Sequence, residues 1–579
     1  MTSANRAGIL SVRALNQYRR RDVLAYLGLR YYLEGTAART DPWAARVAAG
    51  LVLDRPVEPY LTVPHFKEVQ HNGAIAHRTI TVPGPNEALA EAVLLDECAK
   101  HDAFANPSCV FSYALCAGDD RTGMFQHYMR GIRERHSAIA SACAAFPGGV
   151  VRYLDIRKFY PSISTQLALT TWSSFASKST LGERERALGF RLIGGHGASN
   201  TEGDALLTGP MLSHFVANLV LRDIDVAAAD RAPGRYFRYV DDIVVVGDWN
   251  EVRAHTREIT ARLADSGFRV HDEHSPKSFE VPTKAWLAGK DDFLETEASR
   301  NWKEFVGGLK RLLLVQPDVR TELQRAFEAE GLRIPVRDYS TVVREQGYLT
   351  SIKRWATSGW LRRWRAPSAV KLVALASNLR RVCESELKAS LKGVEGLRGF
   401  DRKRRIPKLR YYAARLIYLS PNETLLEVSS RMKAIPELHF HSVVMHAVAT
   451  GELDGVLALG TNAAQAAAQP LQATTRRATM SLKGLSNVEA DALAVVLLNG
   501  ISVAPGAVST SPHESRLLEF AARGATLDLM RSESPFIREI ACLHGINSQP
   551  RHRAILDSVY DEDEIQILDA VEMAHGSGS

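Results

Sequence analysis

Three acids carry the clearest chemistry in this chain. Asp241 and Asp242 stand together in RYFRYVDDIVVVG (235–247), and Asp155 lies within VVRYLDIRKFYPSI (150–163). Short runs rich in Tyr, Phe, Val and Ile flank the pair, the composition of two β-strands, so the acids fall at the turn between them. Adjacent carboxylates repel unless a cation sits beside them. All-oxygen ligation points to Mg²⁺ or Mn²⁺. For an isolated pair the alternative is a solvated Asp-Asp turn, and a third acid on another strand argues against it. Val150, Val151, Tyr153 and Leu154 make such a strand, ending at Asp155 and followed by a turn closed by Pro161. Two strands presenting three acids is the layout of a nucleotidyl-transfer site that works with two metal ions.

The elements that must position these acids belong to a large chain. Its 579 residues imply two to four domains. The apolar and charged fractions, 45% and 24%, are those of a soluble globular protein. No run approaches the length of a membrane span, and the N-terminus lacks the layout of a signal peptide, so no membrane partner is expected. The cysteines (Cys98, Cys109, Cys116, Cys143, Cys383, Cys542) are scattered without C-x-x-C pairs. That argues against zinc and disulfides and for a reducing cytosol. A net charge of +7 and a pI near 9.0 fit a polyanionic partner, and fit many proteins without one.

With both motifs in view, the chain resembles reverse transcriptases. Asp155 with Phe159-Tyr160 is similar to the family's first palm motif, and Tyr239-Val240-Asp241-Asp242 to its YxDD motif. The resemblance covers roughly residues 60–290. It implies an α+β fold, right-hand polymerase fingers and palm (an antiparallel sheet with helices). An all-α, helical-repeat-like C-terminal domain follows. Residues 1–60 read as a helical lead-in, 61–149 as fingers and 150–290 as palm. Residues 291–575 read as the helical domain, from helical periods broken by recurrent prolines, and 576–579 as an appended linker.

Within the fingers, 77–83 alternates like a strand and 86–100 reads as a helix. Within the palm, 165–193 reads as helical, Gly194 to Gly203 as a loop, 205–218 as a Gly-containing turn opening a helix, and 250–266 as a helix. Trp286-Leu287-Ala288-Gly289 is the candidate for a primer-grip hairpin.

The resemblance also assigns roles. Asp155 and Asp241 bridge two Mg²⁺ or Mn²⁺ ions, the Ile156 carbonyl supplies another oxygen, and Asp242 supports them. Lys277 matches the lysine that protonates or neutralises the leaving pyrophosphate. The Tyr160 ring, beside Phe159, blocks a 2′-hydroxyl and so selects dNTPs. Thr208 and Gly209 belong to the segment under the nucleotide, although many members have Pro where this chain has Leu207. Arg78 and Arg121 are candidates for the triphosphate, with ordinary surface arginines the alternative. Two basic stretches with aromatics lie in the helical half, one containing Arg362 and Arg363, the other Arg404, Arg405 and Arg410. Cations beside rings make a single-strand groove. The alternative is an amphipathic helix whose rings are core and whose arginines face water.

The palm running straight into a helical half, with Phe-Tyr-Pro-Ser-Ile after the first acid, resembles bacterial abortive-infection and other defence-associated reverse transcriptases. The expectation is a cytoplasmic bacterial DNA polymerase acting in antiphage defence. Members of that group extend DNA without a template from a protein tyrosine, or copy a non-coding RNA, and oligomers are common among them. The expected partners are therefore dNTPs, a single-stranded DNA product, an RNA template in the second mode and a covalent tyrosine link in the first. A mobile-element enzyme of the group II intron or retron kind is an alternative, weakened by missing accessory modules. A nucleic-acid-binding scaffold with a vestigial palm is another.

Overall fold

The computed structural model describes residues 6–18, 25, 29, 49–54, 60–70, 72–116, 118, 123–200, 203–272, 275, 277–289, 297–336, 367–474, 477–481, 485–504, 528 and 531. The chain is mixed α+β, with two small antiparallel sheets and a helical C-terminal region.

Helices α1 (Arg6–Tyr18) and α2 (Ala49–Asp54) precede a hairpin of β1 (Leu61–Val69) and β2 (Ile75–Val82), then α3 (Pro85–Cys98) and α4 (Tyr128–Ala145). The strand expected at 77–83 and the helix expected at 86–100 are β2 and α3. Strand β1 was not foreseen, because Pro64 and Lys67-Glu68 interrupt its alternation. After β3 (Val150–Asp155) come α5 (Thr165–Ser177), α6 (Glu183–Ser199), α7 (Met211–Arg231), β4 (Tyr236–Tyr239), β5 (Asp242–Gly247), α8 (Trp249–Asp265), β6 (Phe279–Pro282) and α9 (Thr283–Ala288). Helix α6 runs through much of the expected Gly194–Gly203 loop. The expected hairpin at Trp286–Gly289 is helical instead: Trp286 is buried in α9, and its indole N–H donates to the Tyr153 hydroxyl at 2.8 Å.

The second sheet has the order β4-β5-β3-β6 and is antiparallel throughout. Its two inner strands are apolar on both sides, which requires both faces to be covered. Alternation sorts them. Val150 and Leu154 of β3, with Ile243 and Val245 of β5, join the main core with residues of α7 and α8. Val151, Tyr153, Val244 and Val246 form a second cluster with Ile139 and Cys143 of α4, Trp286 of α9 and Phe400.

The C-terminal region comprises α10 (Glu297–Val315), α11 (Arg320–Ala329), α12 (Ala369–Leu391), α13 (Gly399–Leu419), α14 (Asn422–Met432), α15 (His439–Thr450), α16 (Asp454–Leu459), α17 (Thr461–Gln472) and α18 (Asn487–Leu498). It meets the sheet through Phe400 at the start of α13. It also reaches the β1–β2 hairpin, where the His77 ring lies 3.1 Å from the Ala458 carbonyl and the Phe66 ring packs on Phe440. Among the described residues no helix is long and apolar enough to cross a membrane.

Candidate functional site

Tyr239 pairs with Asp242 across the β4–β5 hairpin, so Val240 and Asp241 make a two-residue turn. Val240 has φ +56°, an expensive conformation for a β-branched residue, and persists only where its surroundings hold it. Three hydrogen bonds do so. Val240 N donates to Ser112 Oγ at 2.9 Å, Arg238 Nη1 donates to the Val240 carbonyl at 2.9 Å, and Ile156 N donates to the Asp241 carbonyl at 3.0 Å.

Asp155 is the direct cross-strand partner of Asp242, which sets their Cα atoms about 5 Å apart. The Ile156–Asp241 bond brings the turn alongside the end of β3, so the three acids share one end of the sheet. Their electrostatics differ. Burial, then the neighbouring Asp155 and Asp242, push the Asp241 carboxyl up to about 6. Burial also pushes Asp242 upward, but Arg135 and Lys403 outweigh it and hold that carboxyl below its usual range. Arg135 Nη1 and Lys403 Nζ both donate to Asp242 Oδ2, at 3.0 and 3.3 Å. Asp155 Oδ1 accepts from Lys277 Nζ at 3.0 Å and stands 3.2 Å from His271 Nε2. Burial and Lys277 lower the pKa of His271.

No three His, Cys, Asp or Glu side chains among the described residues are grouped so as to hold a metal ion. Magnesium commonly rests on one or two carboxylates and completes its shell with water and substrate phosphates. Asp155 and Asp241 fit that smaller requirement, because a cation between them would relieve the repulsion that raises Asp241. Asp242, expected among the metal residues, instead has two basic side chains on one oxygen. Ile156 is buried, 1% exposed, with its amide committed to Asp241.

Tyr160 lies in a short 3₁₀ turn with its hydroxyl on His214 Nδ1, and His214 stacks on Tyr113 with ring centroids 4.2 Å apart. Phe159, expected at the nucleotide, is 4% exposed and packs on Phe268, so it supports Tyr160 from within the core. Gly209 permits a close backbone approach, but to a strand: a Cβ there would stand 2.2 Å from the Thr81 carbonyl oxygen. The Thr208 carbonyl accepts from Thr81 N at 2.7 Å, fastening this segment to β2. Arg78 is exposed on the same strand. Arg121, Arg362 and Arg363 lie outside the described residues. A cavity of about 640 Å³ beside the hairpin is lined by Tyr239, Tyr113, Phe125 and Tyr128, and by none of the three acids.

On α13 the basic stretch is largely engaged within the protein. Arg405 donates to the Ser390 carbonyl and Arg410 to the Glu437 carbonyl, both at 3.1 Å, while Arg404 lies over the Phe400 ring. Tyr412 is a core residue, 5% exposed. Tyr412 is core, as the amphipathic-helix alternative has it, whereas these arginines are held by neighbouring groups of the protein.

Three residues that matter here were not singled out from sequence: Arg135, His271 and Arg238. Arg238 had a local signal, a cation at an alternating position inside an apolar strand, whereas Arg135 and His271 come from elsewhere in the chain and had none. Lys403 belongs to the basic stretch read from sequence, which gave no sign of its pairing with Asp242. No protein-family model matches this chain, and no curated protein matches it.

Proposed function

We propose that the protein is a DNA polymerase of the reverse-transcriptase type, adding dNTPs by two-metal nucleotidyl transfer. In this reading the β1–β2 hairpin with α3 and α4 serves as fingers and the four-stranded sheet as palm. The observation that carries it is the convergence of Asp155 with the Asp241-Asp242 turn on adjacent antiparallel strands. Asp155 and Asp241 hold Mg²⁺ or Mn²⁺, which when bound lowers the pKa of the attacking hydroxyl and neutralises the triphosphate. Tyr160 presents its ring to the sugar. Lys277, 53% exposed and 3.0 Å from Asp155, supplies a proton or a positive charge to the leaving pyrophosphate. Antiphage defence in the bacterial cytoplasm is the biological role we attach to this chemistry. Synthesis is either template-independent and primed from a protein tyrosine, or copied from a non-coding RNA.

A second reading has a specific observation in its favour. Lys277, Arg135 and Lys403 neutralise Asp155 and Asp242 without any metal, so a vestigial palm serving as a scaffold could keep its acids. Purified protein with Mg²⁺ and labelled dNTPs, with and without template RNA, separates the two. Protease-sensitive labelled DNA without template identifies protein priming, and an RNA-dependent product identifies copying. Incorporation that Asp155→Asn abolishes supports the polymerase, and no incorporation under either condition overturns it.

A further inference from the structure

The two hairpin acids have different neighbours. Asp241 lies beside Asp155, whereas Asp242 is gripped by cations from two distant parts of the chain. Arg135, on α4, donates through Nη1 to Oδ2 and through Nη2 to the Asp242 carbonyl, both at 3.0 Å. The Arg135 and Asp242 side chains are 12% and 25% exposed, so the pair is largely withdrawn from water. Lys403, on α13, donates to the same Oδ2 at 3.3 Å and sits 4.4 Å from the centroid of the Tyr153 ring. Its ammonium is thus fixed by a carboxylate and an aromatic face together. Phe400, one turn earlier on α13, packs in the same apolar cluster as Tyr153, Val244 and Trp286. A divalent ion placed on Asp242 Oδ2 would have to displace, or be repelled by, two positive charges.

We propose that Asp242 is the seat on which the C-terminal helical region docks against the hairpin, with Lys403 its positioning residue. A divalent cation is held by Asp155 and Asp241 without it. The inference rests on the two-metal reading above and assigns the helical half a part in the site's geometry.

The test is uptake of Mn²⁺ by the full chain, followed as loss of the free-ion electron paramagnetic resonance signal. Removing Asp242 and Lys403 together leaves the local charge unchanged, so Asp242→Asn/Lys403→Met should keep the wild-type affinity, while Asp155→Asn and Asp241→Asn lose about tenfold or more. Lys403→Met alone should slow dNTP addition by about tenfold through loss of alignment, with Mn²⁺ affinity no weaker, and Lys403→Arg should restore most of the rate. If the double variant loses Mn²⁺ as Asp155→Asn does, Asp242 is a ligand and the proposal falls. If Lys403→Met matches wild type in rate, the docking does not position the site. If the wild-type chain takes up no Mn²⁺, the two-metal reading itself fails, which distinguishes its failure from that of the docking.

Discussion

Arg238 and Asp225 face each other through two hydrogen bonds of 2.7 Å, with their side chains 0% and 1% exposed. The remaining guanidinium nitrogen reaches Asn218 Oδ1 at 3.1 Å and the Val240 carbonyl at 2.9 Å. One buried cation therefore ties α7 to the strained turn that carries Asp241. Breaking a buried pair strands a charge, whereas replacing both partners with apolar groups is often tolerated.

Asp225→Ala should accordingly cost about 3–5 kcal/mol of stability in urea denaturation, because it leaves Arg238 unpaired. The double replacement Asp225→Leu/Arg238→Met should recover much of that loss but still lower activity, since the Val240 carbonyl has lost its donor. If the single and double variants are equally unstable, charge burial is not what holds the hairpin.

Gly209 makes a separate claim on the backbone. Its φ of +134° is disfavoured for any L side chain, and the Thr81 carbonyl occupies the space a Cβ would need. Gly209→Ala should destabilise the protein by about 1–3 kcal/mol or more. Amide exchange should rise selectively at Thr81, whose N–H donates to Thr208. A variant with unchanged melting and exchange would mean that this segment is free to move off β2.

Much of the sheet was legible from sequence because strand composition and turn position are local. RYFRYVDDIVVVG shows its hairpin directly, and the apolar run of Val150, Val151, Tyr153 and Leu154 shows the partner strand. The pairing of charges was not legible. Lys403 meets Asp242 only because Phe400 packs against the sheet from a helix far along the chain, and the basic run around it reads equally well as a nucleic-acid groove. The segment at 205–209 misled differently: a glycine admitting close approach identifies a crowded place but not its occupant, which here is Thr81.

Tyr160 is held by a layered support. Its hydroxyl meets His214, which is 2% exposed and stacked on Tyr113. A ring fixed this firmly can discriminate by contact. Tyr160→Ala should therefore lower the preference for dNTPs over rNTPs by about 10–100-fold in kcat/KM. Tyr160→Phe keeps the ring and should retain most of the selectivity. Equal discrimination in Tyr160→Ala and wild type would remove Tyr160 from the nucleotide site.

His441, on α15, gives a pH signature independent of catalysis. Burial first, then Arg410 and Arg415, push its pKa down from 6.5 to about 4, and its Nδ1 is buried without a hydrogen-bond partner among the described residues. The unfolded chain therefore binds a proton near pH 6.5 that the folded chain refuses until about pH 4. Stability from this residue is complete above the unfolded value, declines as pH falls through that window and levels off below it. The decline should amount to roughly 1–3 kcal/mol. Urea midpoints of wild type and His441→Phe, compared between pH 7.5 and pH 4, should diverge over this window to the variant's relative advantage. Parallel curves would show that the ring titrates normally and is open to water.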